Sequence, residues 1–166
     1  MAGQTIDAPL PVRVAPGLWA GSGDEPVSKA AAPGDGDEPR AAQALRVLIV
    51  EDEFFIALDT QAQVEALGHT VVGMAVSAEQ AIRMAAAENP DVVLMDIRLD
   101  GPTDGIDAAT RIRAAGASDI VFVTANSDPA TQQRARAVNP LGFMQKPLTP
   151  QRLSHALAGH SRSKAI

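Results

Sequence analysis

The sequence contains no cysteine. This absence excludes disulfide bonds, thiolate metal sites and cysteine catalysis, and it agrees with a cytoplasmic location. Basic residues are not in excess either, because 14 Lys and Arg stand against 20 Asp and Glu and give a formal net charge of −6. A surface of this sign offers no electrostatic reason to bind nucleic acid or an anionic membrane, so we expect neither as a partner.

Long apolar runs are also missing from the sequence. No stretch reaches the roughly 20 apolar residues that a membrane-spanning helix needs. Residues 1–14 lack the basic and apolar regions of a secretory leader. We therefore expect a soluble, cytoplasmic protein, and its 166 residues suffice for one domain around one hydrophobic core.

Residues 1–45 have no helical or strand period and hold 6 of the 12 prolines and 6 of the 13 glycines. This composition predicts a flexible N-terminal arm. The apolar cluster from Leu10 to Trp19 has two interpretations, a docking segment or part of a disordered leader. The interruption of the cluster by proline favours the leader.

From Arg46 onward, short runs rich in valine and isoleucine alternate with alanine-rich stretches of helical period. This alternation is typical of a parallel α/β sheet. Five strands are predicted, the second of them partly exposed: Val47–Val50, Thr70–Val76, Val92–Met95, Ile120–Val123 and Leu141–Met144.

Each predicted strand is followed by a predicted helix. The helix signals are Phe54–Leu67, a capping box of Ser77 and Gln80 opening a helix to Glu88, Ile106–Ala115, Asp128 with Pro129, and Thr149 with Pro150. The apolar residues that share one side of the first helix are Phe54, Ala57, Leu58 and Val64. With right-handed crossovers, this (βα)5 pattern predicts a doubly wound, five-stranded parallel sheet with helices on both faces.

Ligands of doubly wound sheets bind beyond the carboxyl ends of the strands, and polar residues stand there in this chain. Glu51 and Asp52 follow the first strand, Asp96 the third, Thr124 the fourth and Lys146 the fifth. Each alone has an ordinary structural interpretation, such as an acid at a helix N-terminus or a surface lysine. Together they suit phosphoryl transfer: clustered carboxylates attract Mg²⁺, Asp96 can act as nucleophile, and Thr124 and Lys146 can hold phosphoryl oxygens.

Four motifs in this order resemble those of the receiver domain of two-component response regulators, over residues 46 to about 158. They are VLIVEDE at 47–53, VVLMDIRL at 92–99, VFVTAN at 121–126 and GFMQKP at 142–147. The resemblance implies a flavodoxin-like receiver fold. It also divides the chain into the arm at 1–45, the receiver domain at 46–158 and a short C-terminal tail at 159–166.

The resemblance also assigns roles to residues. Asp96 would be the phosphoacceptor and a Mg²⁺ ligand, together with Asp52, the main-chain carbonyl of Arg98 and, through water, Glu51. The residues that would bind the phosphoryl group are Thr124 and Lys146.

Phe143 resembles the switch aromatic of the family, which turns inward as Thr124 moves. The peptide bond between Lys146 and Pro147 is similar to one that is cis in this family. Phosphorylation adds nearly two negative charges at one point. We expect the fourth helix, the fifth strand and the fifth helix to respond to it and to bind a downstream protein.

Several positions depart from the family pattern. Arg98 and Asn126 flank the phosphoryl site, where they are expected to tune the lifetime of the phosphoryl group. A less common Asn139–Pro140 pair precedes the fifth strand, and Leu148 stands where an aromatic residue is common.

These features predict a stand-alone response regulator that receives a phosphoryl group from a histidine kinase or a histidine phosphotransfer protein. It would signal by protein–protein interaction, because residues 158–166 are too few for a DNA-binding helix pair. It would accept a phosphoryl group without turning over as an enzyme. One alternative is a receiver-like module that never takes phosphate. Another is a haloacid dehalogenase-type phosphatase, which needs a second aspartate where Arg98 stands.

A sensor kinase is disfavoured. His69, His155 and His160 lack an acidic neighbour in the sequence, and there is no glycine-rich nucleotide-binding segment. We expect His69 in the turn before the second strand and His155 on the last helix.

Overall fold

The computed structural model describes residues 44–116, 118–125 and 128–163. The predicted arm lies outside these residues except for its last two positions, so the interpretations of Leu10 to Trp19 stay predictions. Asn126, one of the positions expected to tune the phosphoryl lifetime, also lies outside the described residues.

Strands and helices alternate along the described chain. In order they are β1 (Arg46–Val50), α1 (Phe54–Ala66), β2 (Thr70–Ala75), α2 (Ala78–Glu88), β3 (Val92–Asp96), α3 (Gly105–Ala115), β4 (Asp119–Thr124), α4 (Pro129–Ala137), β5 (Gly142–Gln145) and α5 (Pro150–Ser163). The predicted (βα)5 order is confirmed, and the predicted strand boundaries differ from these by one residue at most. Helix α5 continues through 159–163, where the sequence predicted a tail.

The five strands form one parallel sheet in the order β2-β1-β3-β4-β5. The chain adds β2 on one side of β1 and then β3 on the other side, so the strand order reverses between β1 and β3. Such a reversal opens a crevice at the carboxyl ends of these two strands. Among the described helices, none combines the length and apolarity that crossing a bilayer requires.

Helices cover both faces of the sheet, as the pattern predicted. Side chains alternate along each strand, so Leu48 and Val50 pack toward α2, α3 and α4, while Val47 and Ile49 pack toward α1 and α5. The central strands are buried on both faces, which explains why their sequences are nearly continuous apolar runs. Strand β2 lies at one edge and is partly exposed, as predicted.

One prediction about α1 is wrong in part, because Ala57 and Val64 are buried but the two larger residues of the predicted side are not. Phe54 is 60% exposed and Leu58 is also exposed, whereas the buried residues of the helix are Ala57, Thr60 and Val64. Leu58 is rotated by about 100° from Ala57 around the helix axis, so it faces away from the sheet. Thr60, a polar residue outside the predicted set, joins Ala57 and Val64 on the buried face.

The start of α2 follows the predicted capping box in part. The Ser77 hydroxyl accepts a hydrogen bond from the Gln80 main-chain N–H at 3.3 Å. The Gln80 side chain accepts from the N–H of Val76 at 3.1 Å instead of from that of Ser77. At the other end, the helix stops at Glu88, as predicted, and Asn89 after it has a left-handed φ of 46°.

Gly105 sets how closely α3 approaches the end of β3. Its N–H donates to the carbonyl of Ile97 at 3.0 Å, and a Cβ at this position would overlap the main-chain carbonyl of Asp96. Only a residue without a side chain permits this approach. The first residue of α3 therefore holds the chain that follows Asp96 in place.

We expect Gly105→Ala to lower the free energy of unfolding by about 1 to 3 kcal/mol, because α3 or the Asp96 carbonyl must shift to make room. Urea denaturation measures this change. Gly142→Ala is the matched control, since a Cβ there meets no atom within 4 Å, and its effect should stay within about 0.5 kcal/mol. Equal losses in the two variants would contradict the close approach.

His69 lies in the turn before β2, as predicted, and its Nδ1 accepts a hydrogen bond from the Leu45 N–H at 3.2 Å. Burial lowers the pKa of His69 below its ordinary value. The unfolded chain therefore binds the proton more readily than the folded one. The stability contributed by neutral His69 is present above about pH 6.5 and is lost as the pH falls below it.

We expect the free energy of unfolding to fall less steeply below pH 6.5 in His69→Asn, whose amide oxygen can accept the same hydrogen bond without titrating. Denaturation at a series of pH values measures the slope. His155→Asn is the control, because it makes the same substitution at an exposed position of α5. A His69→Asn protein with the wild-type slope would refute the linkage.

Candidate functional site

The polar residues singled out in the sequence meet at one edge of the sheet. Asp96 and Thr124 end β3 and β4, Glu51 and Asp52 follow β1, and Lys146 follows β5. The strands are parallel, so their carboxyl ends lie on the same side. Strand order brings the ends of β1, β3 and β4 side by side, with β5 next to β4.

Lys146 joins the ends of three strands. Its Nζ lies 2.6 Å from Asp96 Oδ2 and 2.7 Å from Glu51 Oε2. Both carboxylates are buried, and 13% of the Lys146 side chain is exposed. The Lys146 N–H donates to the Thr124 carbonyl at 2.9 Å, and the bond to Pro147 is cis, as the resemblance implies.

Main-chain N–H groups of the loop after β3 hold the carboxylates from the other side. Arg98 donates to Asp96 Oδ1 at 2.9 Å, and Asp100 donates to Asp52 Oδ2 at 3.1 Å. The Arg98 side chain itself is exposed. Hydrogen bonds to both oxygens of Asp96 fix the orientation of its carboxylate.

Burial and neighbouring charges act on the ionisable groups in opposite directions. Burial raises the pKa of Glu51, and the charge of Asp96 adds to this effect against the hydrogen bond from Lys146. Burial alone would lower the pKa of Lys146, but the hydrogen bonds and charges of Asp96 and Glu51 together raise it. The ammonium group therefore stays charged at neutral pH, between two carboxyl groups.

Three acidic side chains are close enough to share one cation. One oxygen each of Glu51, Asp52 and Asp96 lies within 4.8 Å of the others. Carboxylate oxygens are the donors that Mg²⁺ prefers in proteins. The residues present therefore fit the metal that receiver domains bind.

Thr124 has a buried hydroxyl that forms no hydrogen bond with the described part of the chain. A buried polar atom without a partner is unfavourable, so native proteins rarely keep one without a reason. Thr124 ends β4, next to the strand that Asp96 ends. Its hydroxyl can satisfy its hydrogen bond with a group that binds at this edge.

Phe143 lies on β5 and is 43% exposed. Its ring stacks on the fully buried Phe122 of β4, with 5.7 Å between centroids and an angle of 27° between planes. The ring therefore points outward in this structure. The inward turn implied by the resemblance stays a prediction.

The structure adds features near the site that sequence reasoning missed. A pocket of about 480 Å³ beside Lys146 is lined in part by Phe55, Ile56 and Leu148. Phe54 and Phe55 follow the acidic motif, and this apolar pair could have indicated an exposed patch there, since Phe55 is 82% exposed.

The Asn139–Pro140 pair before β5 departs from the family pattern. Asn139 takes a left-handed φ of 55°, which asparagine tolerates better than most residues.

Arg134 forms a second missed contact. Its guanidinium bonds Asp104 at 2.9 Å and Asp107 at 3.3 Å, and so connects α4 to the start of α3. No local pattern could have found this pair of contacts, because the partners are 30 and 27 residues away.

Comparison with known proteins identifies the class of this chain. The response regulator receiver domain family matches residues 47–158, and the chain belongs to this family. The predicted family and the flavodoxin-like fold are thereby confirmed.

Two curated relatives and one solved structure illustrate the similarity. The chain is 36% identical over 109 residues to the transcriptional regulatory protein PdtaR of Mycobacterium tuberculosis, covering 66% of this chain and 53% of that protein. It is 32% identical over 124 residues to the phyllosphere-induced regulator PhyR of Methylorubrum extorquens, covering 74% and 46%. The chain thus spans about half the length of these relatives.

The solved structure is the receiver domain of a modulated diguanylate cyclase from Desulfovibrio desulfuricans. It superposes with a TM-score of 0.70 at 37% identity, covering 73% of this chain and 96% of that one.

We expect Lys146→Met to lower the free energy of unfolding by on the order of 3 kcal/mol, because it leaves Glu51 and Asp96 buried without their cation. Chemical denaturation at neutral pH measures the loss. The same substitution in a Glu51→Gln background should be less harmful, since one buried charge is already gone. Equal losses in both backgrounds would show that the bridge to Glu51 contributes nothing.

Proposed function

We propose that this receiver domain accepts a phosphoryl group on Asp96 and passes the signal on by binding another protein. The donor would be the phosphorylated histidine of a histidine kinase or of a histidine phosphotransfer protein. The observation that carries the proposal is the set of groups around Asp96. The Lys146 ammonium lies on one oxygen, and the acids Glu51 and Asp52 lie beside it. The Thr124 hydroxyl, at the end of the next strand, forms no hydrogen bond with the described part of the chain.

In the transfer step, a carboxylate oxygen of Asp96 attacks the phosphorus of the donor. The bond from phosphorus to the histidine nitrogen breaks, its electron pair returns to the imidazole, and an acyl phosphate forms on Asp96. The hydrogen bonds from Arg98 and Lys146 keep the carboxylate oriented for this attack.

Mg²⁺ bound by Asp52, Asp96, the Arg98 carbonyl and, through water, Glu51 would neutralise charge on the phosphoryl oxygens. Lys146 already contacts Asp96, so its ammonium group can bind a phosphoryl oxygen after a small movement. The Thr124 hydroxyl can donate to another and thereby gain the partner that it lacks.

The phosphoryl group would change the structure beyond the site. Attraction moves Thr124 toward the new charge, and Phe143 on the neighbouring strand turns inward into the space that Thr124 leaves. The surface that changes is then the face formed by α4, β5 and α5. That the chain works in the cytoplasm stays a prediction from its sequence.

The alternatives have less support. A haloacid dehalogenase-type phosphatase needs a second aspartate two residues after the first, and Arg98 stands there with its side chain exposed. A module that ignores phosphate has no use for a buried acid cluster, a bridging lysine and an unpartnered threonine at one edge.

We expect Asp96→Asn to abolish Mg²⁺-dependent labelling by a small acyl phosphate such as acetyl phosphate, because an amide cannot act as the nucleophile. Intact-mass measurement detects one added phosphoryl group per chain. Asp100→Asn is the matched control, since Asp100 is exposed and lies in the same loop, and it should be labelled as wild type. Labelling of Asp96→Asn, or steady turnover of the acyl phosphate by both proteins, would contradict the assignment.

A further inference from the structure

Charge is distributed unevenly along this acidic chain. Residues 129–166 contain six Lys and Arg but no Asp or Glu, whereas residues 1–128 hold eight Lys and Arg and all 20 acids. The acid-free part includes α4, β5 and α5. The face expected to bind a downstream protein is therefore built from a cationic stretch of a protein that is negative overall.

The described cations of this stretch differ in how they are paired. Arg134 is bound by the acids of α3, and Lys146 belongs to the phosphoryl site. Arg136 and Arg152 are exposed, and neither guanidinium forms an ion pair within the described residues. Arg152 on α5 is therefore available to an acidic group from outside.

A groove runs along β5, beside Arg152. Its volume is about 730 Å³, and all four residues of β5 line it, together with Leu141 and part of α5. The ionisable side chains in its wall are Arg152 and His155, and its apolar wall includes the exposed ring of Phe143. No acidic residue lines it.

Strand β5 is the last strand of the sheet on this side. An edge strand presents main-chain N–H and C=O groups that can pair with a further strand. Proteins often protect such edges with a charged residue or proline, but the sequence of β5 is Gly-Phe-Met-Gln. The edge is therefore suited to pairing with an extended segment.

We propose that this groove binds an extended, acidic segment of a partner protein. The segment pairs with the outer edge of β5, places an apolar side chain against Phe143, and directs a carboxylate toward Arg152. This proposal rests on the proposed output through the α4, β5 and α5 face, and it adds the chemistry of the partner.

Other occupants fit the groove less well. A second copy of this chain related by a two-fold axis would bring the same acid-free faces together and oppose like charges. A nucleic acid would meet a partly apolar wall with one arginine, on a chain whose net charge repels phosphates. An acidic segment with apolar side chains matches both the charge and the apolar wall.

The test uses the whole chain and a fluorescein-labelled peptide in which glutamate alternates with valine, with binding followed by fluorescence anisotropy. We expect Arg152→Glu and Phe143→Ser each to weaken binding at least about tenfold. Arg83→Glu makes the same charge change on an exposed position of α2 and should leave affinity within about twofold. A peptide with lysine in place of glutamate, or serine in place of valine, should bind at least about tenfold more weakly.

Hydrogen exchange supplies a second readout, because strand pairing should slow exchange of the β5 amides when the peptide is present. Equal weakening by Arg83→Glu, absence of protection in β5, or tighter binding of a single-stranded oligothymidylate would overturn the proposal. So would concentration-dependent dimerisation that the peptide does not reverse. Labelling of Asp96 is measured in the same preparations, so protein that is labelled but binds no peptide overturns this inference and leaves the phosphoacceptor assignment standing.

Discussion

The ammonium group of Lys146, shared between Glu51 and Asp96, is the interaction on which this site depends. Buried carboxylates at neighbouring strand ends repel one another, and leaving them without a counter-charge is unfavourable in a poorly solvated place. The lysine supplies that charge from the end of β5. The same contact therefore connects β1, β3 and β5 and orients the carboxylate proposed to react.

Lys146 also connects the site to the face expected to bind a partner. It follows β5 directly, and Phe143 lies three residues before it on the same strand, opposite Phe122 of β4. The proposed movement of Lys146 or Thr124 toward a phosphoryl group would therefore act on the two strands that hold the stacked rings. Packed cores and interfaces can convert a small shift into a larger change of surface, because they take discrete arrangements rather than deform continuously.

Much of this fold could be predicted because its elements have strong local signals. Strands buried on both faces are continuous apolar runs in the sequence. Asp128 with Pro129 marks the start of a helix, and Asn89 marks the end of one, from the local sequence alone. The wrong predictions concern side chains whose orientation is set by packing and contacts in the folded protein. Leu58 continues the apolar pattern of α1 yet faces outward, and the Gln80 side chain bonds Val76 rather than Ser77. The residues at the strand ends were found because parallel strands bring them together, but the lysine bridge, the unpartnered Thr124 hydroxyl and the close approach at Gly105 depend on three-dimensional contacts.

The central claim is that Asp96, Thr124 and Lys146 form one phosphoryl-binding site. A crystal structure of the protein with Mg²⁺ and beryllium trifluoride, a mimic of the phosphoryl group, tests it most directly. We expect the mimic on Asp96, with the Thr124 hydroxyl and the Lys146 ammonium each within hydrogen-bond distance of a fluorine and with Phe143 turned inward. A mimic bound elsewhere, or one on Asp96 that leaves the Thr124 hydroxyl without a partner, would contradict it.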